Sequence, residues 1–162
     1  MVIWDTNILA LFFSKRLTSD DHLRVEGLVA ELAKKREPIG VPAQVWAEFL
    51  EGAAADASEQ SMLLFKTNAF KLLPYDMRAA IENAEVAKRG QIARKGMKAK
   101  DRSRQAVKVD WQIIAIAKAH GVRFVLTNDK AMHSEAARHG VRCLAIADLP
   151  VPDALRQRPI EF

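Results

Sequence analysis

The chain has 162 residues, 49% hydrophobic and 28% charged. That balance describes an ordinary globule, long enough to bury about two-thirds of its unfolded surface in one domain. No apolar run approaches the roughly 20 residues that cross a bilayer, and Asp5 and Asn7 interrupt the opening where a secretory signal would stay apolar, so no membrane partner is expected.

The lone cysteine, Cys143 in "VRCLAI", excludes an intrachain disulfide and reads as a small buried hydrophobe, so a reducing cytoplasm is the expected location. The net charge of +5 is uneven. Lys88 to Lys108 holds nine Lys or Arg residues and one acid, Asp101, a local balance of +8 that leaves −3 for the rest. Such a segment on a mildly acidic body attracts a polyanion to one region of the surface.

In chain order, Val2 to Trp4 reads as a short buried strand with Asp5 at its carboxyl end. "HLRVEGLVAELAKKR" spaces Val25, Leu28, Val29 and Leu32 as a helix, with cations towards its end. Glu37 and Pro38 stop it, and Ile39 to Val41 form a second strand. Pro42 opens a helix in which Val45, Glu48, Phe49 and Gly52 share a face. Ser58 can cap a helix through Leu64.

"FKLLPYD" reads as a strand and turn, followed by a helix from about Met77 to Lys88. Residues 90–108, with Gly90, Gly96 and many cations, read as a mobile or partly helical basic insertion. Asp110 then starts "DWQIIAIAKAHG", a helix with Ile113, Ile114 and Ala117 inward and Gly121 as its stop. "VRFVLT" is a strand, "KAMHSEAARHG" a helix, and "VRCLAI" a last strand. The alternation predicts an α/β fold, a three-layer α/β/α sandwich around a mainly parallel sheet with right-handed crossovers. Residues 1–147 form the domain, with the basic insertion at about 90–108, and 148–162 form a C-terminal tail.

Ligands of such folds gather beyond the carboxyl ends of the strands. Asp5 and Asp129 follow strands directly. Glu48 and Asp110 reach the same end if their helices begin there. Each has a bland alternative: Asp5 caps a helix, Glu48 sits on an ill-defined helix face, Asp110 interacts with a helix dipole, and Asp129 caps a turn. Together, four converging carboxylates repel and raise one another's pKa values. A hard divalent cation resolves that conflict, and Mg²⁺ or Mn²⁺ suits an all-oxygen set. His22, His120, His133 and His139 have no zinc spacing.

A carboxylate-bound cation beside a basic segment favours phosphodiester hydrolysis that leaves a 5′-phosphate and a 3′-hydroxyl. Thr127 in "TND" is equally a strand residue or a donor to a metal-bound carboxylate or scissile phosphate. Thr6 and Asn7 either orient Asp5, donate to a phosphate, or cap a helix, and Asn128 is a turn residue. Arg94, Lys95, Lys98, Lys100, Arg102, Arg104 and Lys108 are the candidate nucleic-acid contacts; Arg94, Lys98 and Arg102 equally suit a solvated helix face. Trp111 reads as packing beside Asp110, and Trp46 is uncommitted.

The segments "VIWDTNIL", "VPAQVWAEF", "KVDWQIIAIAKAHG" and "FVLTNDKAM", in this order from Val2 to about Ile146, resemble the PIN domain. Among its branches they resemble the VapC-like toxins of type II toxin–antitoxin pairs. The resemblance implies a PIN-like sheet sandwiched by helices and an acidic site of Asp5, Glu48, Asp110 and Asp129, with Thr127 before the last acid. It further implies an Mg²⁺- or Mn²⁺-dependent ribonuclease that acts on RNA, a homodimer, and a cognate antitoxin that blocks the groove by the site. Met132 stands where the family motif often has phenylalanine, and residues 90–108 are longer and more basic than that pattern. The competing readings are a catalytically silent PIN-like RNA-binding or scaffold protein, and a metal-dependent phosphatase or phosphotransferase.

Overall fold

Val2, Ile3 and Trp4 have no exposed surface at all, so the sheet they belong to is covered on both faces. The structure, a computed structural model, describes residues 1–95 and 104–152; the side chains of 92–95 and 104 lie outside the described set. Five strands, β1 (Val2–Trp4), β2 (Ile39–Pro42), β3 (Phe70–Leu73), β4 (Val125–Leu126) and β5 (Cys143–Leu144), form one sheet in the order β3-β2-β1-β4-β5. Every neighbouring pair is parallel.

The helices are α1 (Thr6–Phe13), α2 (Ser19–Lys35), α3 (Ala43–Gly52), α4 (Ala55–Phe65), α5 (Met77–Lys95), α6 (Arg104–Ala119) and α7 (Lys130–Arg138), with a final 3₁₀ turn at Ile146–Asp148. They flank the sheet in the expected three-layer α/β/α sandwich. The chain builds outward from β1 through β2 to β3, then returns to place β4 on the other side of β1. The strand order reverses there, and in sheets of this kind ligands gather beyond the carboxyl ends of the strands at such a point.

Local chemistry sets the ends of these elements. Thr18 caps α2 by accepting the Asp21 N–H at 3.2 Å, and Lys34 and Lys35 sit in the last turn, where the helix dipole favours cations. Trp4 anchors the core edge-on against Phe12 (5.2 Å) and Phe70 (5.5 Å). Trp46 stacks on Phe49 at 5.6 Å and meets Phe65 at 4.6 Å, which commits it to packing. At the start of the tail, Leu149 is buried and Arg24 donates to its carbonyl oxygen. Residues 153–162 lie outside the described residues.

Four sequence expectations are corrected. The helix from Met77 does not stop at Lys88 but continues to Lys95, and α6 begins at Arg104 rather than Asp110. Residues 90–95 and 104–108 of the basic segment are therefore helix, as its partly helical reading allowed, and 96–103 falls outside the described residues. Ser58 lies inside α4, whose N-cap is Ala54, and its carbonyl accepts from the Ser61 hydroxyl at 2.7 Å. Cys143 is half-buried rather than buried; burial first, and then the charge of Asp5, push its thiol up to about 12.

Gly90 explains why α5 runs on. A glycine inside a helix costs about 1 kcal/mol relative to alanine and reads as a stop. Here it is buried, and a Cβ at this position would lie 2.4 Å from Trp111 Cζ2. The missing side chain lets α5 approach α6 closely enough for the indole to lie flush against helix backbone. Gly90→Ala is expected to destabilise the protein by about 1–3 kcal/mol, because overpacking outweighs the helix-propensity gain. Urea unfolding checks this, and a stabilised variant would contradict the packing.

Candidate active site

The β1–β4 register pairs Trp4 with Leu126, so the next residues on each strand, Asp5 and Thr127, leave the sheet side by side. The ladder extends to them through the Asp5 N–H donating to the Leu126 carbonyl at 3.1 Å. Asp5 is also the N-cap of α1, where its Oδ1 accepts the Thr6 N–H at 2.8 Å. Asp5 thus takes the helix-cap role that one of its two sequence readings expected. Its Oδ2 accepts from Thr127 Oγ1 at 2.6 Å and from Asn7 Nδ2 at 2.7 Å.

Thr127, fully buried, is the knot of this arrangement. Its hydroxyl donates its one proton to Asp5 and accepts from Asn7 Nδ2 at 3.0 Å and from the Asp129 N–H at 3.1 Å. One donation and two acceptances exhaust a hydroxyl, so Thr127 has no proton left for a substrate phosphate. It is a positioning residue. Its own carbonyl accepts the His133 Nε2–H at 2.8 Å.

Asn7, given only a modest part by the sequence, donates from Nδ2 to both Asp5 and Thr127. Its Oδ1 accepts the Asn128 N–H at 3.0 Å, and Asn128 Oδ1 in turn accepts the Ile146 N–H at 3.1 Å. Asn128 is thus the expected turn residue and also a brace to the chain after β5.

The other acids are held in different ways. Asp129 caps α7, with Oδ1 accepting from the Ala131 N–H (2.7 Å) and, more weakly, the Met132 N–H (3.4 Å). Met132 itself is buried, as a packing substitute for phenylalanine would be. Glu48 departs from its expected place on an apolar face: Val45 and Phe49 are buried, while Glu48 lies at the solvent rim. The Thr6 hydroxyl pins its Oε2 at 2.6 Å, which ties α3 to the start of α1.

Asp110 is buried, at 8% exposure, in the second turn of α6 rather than at its start. The first-turn dipole account of Asp110 therefore does not apply. Helix α6 packs on both α3, which carries Glu48, and α7, which Asp129 caps. Trp111 is buried and donates from Nε1 to Glu135 at 2.7 Å, in keeping with a packing role. Lys108 is exposed on α6. Lys98, Lys100 and Arg102, and the side chains of Arg94, Lys95 and Arg104, lie outside the described residues.

The electrostatics of Asp5 carry the chemistry. Burial raises its pKa above 3.8, the Thr127 and Thr6 hydrogen bonds oppose the rise, and the negative charges of Glu48 and Asp129 add to it. The charges of Glu48 and Asp129 thus both reach Asp5. Among the described residues, no three His, Cys, Asp or Glu side chains are grouped closely enough to hold a metal ion. The donor set is nevertheless all oxygen and net negative, the chemistry of a hard divalent cation that keeps most of its water.

A raised native pKa means the folded state binds the Asp5 proton more tightly than the unfolded chain does. Its contribution to stability is present at low pH and is lost as pH rises through the raised value. In metal-free protein, the Asp5 carboxyl carbon followed by NMR is expected to titrate above 3.8, and to titrate lower in Asp129→Asn. Asparagine caps a helix as well as aspartate does, so that variant removes charge without removing the cap. A midpoint unchanged by the substitution would contradict electrostatic coupling of the two acids.

Comparison with known proteins bears on the fold. The chain is similar to VapBC2 from Rickettsia felis, in a crystal structure bound to a DNA fragment from its promoter, with 17% identity, TM-score 0.61, and 90% of this chain and 98% of that one covered. It is similar to the DNA-bound VapBC from Salmonella typhimurium at 18% identity and TM-score 0.58, covering 90% and 97%. VapBC-1 from nontypeable Haemophilus influenzae gives 13% identity and TM-score 0.60, covering 91% and 99%. No curated protein sequence matches the chain. The PIN domain family model matches residues 2–138, and with the acids at the carboxyl ends of β1 and β4 already described, the chain belongs to the PIN domain family.

Proposed function

We propose that this protein is a divalent-metal-dependent endoribonuclease that hydrolyses RNA to a 5′-phosphate and a 3′-hydroxyl, and that it is the toxin of a toxin–antitoxin pair. The observation that carries the nuclease reading is the Asp5 carboxylate at the switch point of a parallel sheet, raised in pKa first by its burial and then by the charges of Glu48 and Asp129. The toxin reading is supported by the fold this chain shares with the VapBC structures. In it the protein is cytoplasmic and homodimeric and is restrained by a cognate antitoxin. Among the described residues, no helix is long and apolar enough to cross a membrane.

Asp5, Glu48 and Asp129, with Asp110 from α6, would hold Mg²⁺ or Mn²⁺. The chemistry such an ion would supply there is a bound water of lowered pKa for attack on phosphorus and positive charge to offset that on the leaving 3′-oxygen. The chain's own residues orient and restrain. Three donors fix the Asp5 carboxylate, and Thr127 locks it to the Asp129 backbone. The Thr6 hydroxyl holds the Glu48 carboxylate toward the start of α1. Lys108, with the basic side chains of 94–104, supplies sequence-independent phosphate attraction.

The lack of a ligand-spaced acidic group among the described residues favours one second reading, RNA binding without turnover. A cleavage assay separates the two. The wild-type protein is expected to cut single-stranded or loop RNA with Mg²⁺ or Mn²⁺ and not with EDTA. Asp5→Asn and Asp129→Asn are expected to lose at least about a hundredfold in rate, the scale of removing a preorganised charge at a reacting centre, while keeping their circular dichroism. Cleavage indifferent to metal, or undiminished in both variants, would defeat the assignment.

A further inference from the structure

Glu135 of α7 is a carboxylate outside the acidic site, and it is held more closely than a surface acid. Its side chain is 13% exposed. Oε1 accepts from Trp111 Nε1 at 2.7 Å, and Oε2 accepts from Arg138 Nη1 at 2.8 Å. His139 Nε2, on a side chain only 1% exposed, lies 3.4 Å from Oε1. The buried residues on either side of Glu135 in α7, Met132 and Ala136, are apolar. An apolar residue at 135 would also pack, but it would not fix a direction. Apolar burial is indifferent to angle, whereas a hydrogen bond weakens steeply away from its preferred geometry.

The donor is held from its other side as well. Trp111 is buried, and its indole lies on α5 where Gly90 has no side chain; a Cβ there would stand 2.8 Å from the indole Nε1. The ring is thus confined between the backbone of α5 and the carboxylate of α7. Successive side chains of a helix diverge by about 100°. A fixed Trp111 ring therefore fixes the rotation of α6, and with it the direction of Asp110, the preceding and likewise buried residue. At the other end of the link, Asp129 caps α7, about 9 Å along the axis from Glu135 at about 1.5 Å per residue. One side-chain hydrogen bond joins the helix that carries Asp110 to the helix that Asp129 caps.

We propose that Glu135 is a positioning residue of the acidic site: by holding Trp111 it sets how α6 presents Asp110 relative to Asp129, and so the affinity of the site for a divalent cation. The inference rests on the metal-site reading given above, in which Glu135 and Trp111 touch neither the ion nor RNA. Groups that orient metal ligands from behind typically change metal affinity by about 10- to 100-fold when removed. The indole N–H needs only an acceptor, so an amide carbonyl at 135 can serve in place of the carboxylate.

The test is Mn²⁺ binding to the full, RNA-free chain by isothermal titration calorimetry well below Tm, with Tm and circular dichroism recorded for each variant. Glu135→Leu removes the acceptor, and Trp111→Phe removes the donor while leaving a ring on Gly90. Each is expected to weaken Mn²⁺ binding about tenfold or more. Glu135→Gln keeps an acceptor and is expected to bind Mn²⁺ close to the wild type. The double variant of Trp111→Phe and Glu135→Leu is expected to be no weaker than the worse single one, because both changes remove the same bond.

Mn²⁺ affinity retained in Trp111→Phe and Glu135→Leu, whatever their Tm, overturns this proposal and leaves the bond a packing feature. So does a Glu135→Gln variant as weak as Glu135→Leu, or losses that multiply in the double variant. If Glu135→Leu does not fold, Trp111→Phe beside Glu135→Gln gives the same decision. A wild-type protein that binds no Mn²⁺ overturns the metal-site reading and this proposal with it.

Discussion

The pairing of β1 with β4 is the constraint on which the rest of the molecule depends. Two parallel neighbours end at the same level, and the register that sets Trp4 beside Leu126 makes Asp5 and Thr127 emerge together. Each strand then turns directly into a helix, and each turn is capped by an aspartate, Asp5 for α1 and Asp129 for α7. Helix N-termini favour negative charge, so the fold supplies local reasons to place carboxylates where their mutual repulsion is greatest. The Thr127 hydroxyl, with its three partners, converts that proximity into a fixed arrangement.

A group of acids held in this way is poised rather than relaxed. Burial and like charge raise Asp5, and hydrogen bonds restrain it without cancelling the rise. The opposite end of the sheet shows the contrasting case. There Arg123 binds Glu37 at 3.1 Å and Glu31 at 3.2 Å, and both carboxylates fall below their ordinary value through hydrogen bonds to their cationic partners. One end of the molecule has balanced its charges with its own residues. At the other, burial raises Asp5 and the charges of Glu48 and Asp129 add to the rise.

Much of this was legible in the chain. The buried strands announced themselves as short apolar runs, and acids placed directly after two of them, in a parallel sheet, have only one end at which to meet. Less legible were features decided by packing. Gly90 and a dense run of cations disguised the continuation of α5, because the reason for the glycine is the Trp111 ring on another helix. The same misreading put Asp110 in a first turn rather than the second. Glu48 looked anomalous on an apolar face, yet its backbone position let the side chain reach the rim and Thr6. The work of Asn7 in bridging β1 to β4 depends on contacts 120 and 121 residues away in sequence, which no local pattern records.

Binding of a divalent cation to the native state tests this account most directly, through its effect on stability and independently of any RNA. At neutral pH, Mn²⁺ at a hundredfold excess over its Kd stabilises a one-site protein by about 2.7 kcal/mol. The account predicts a Tm that rises with Mn²⁺ or Mg²⁺ in the wild-type protein and hardly moves in a variant carrying both Asp5→Asn and Asp129→Asn. An equal rise in the two proteins, or no rise in the wild type, would contradict it.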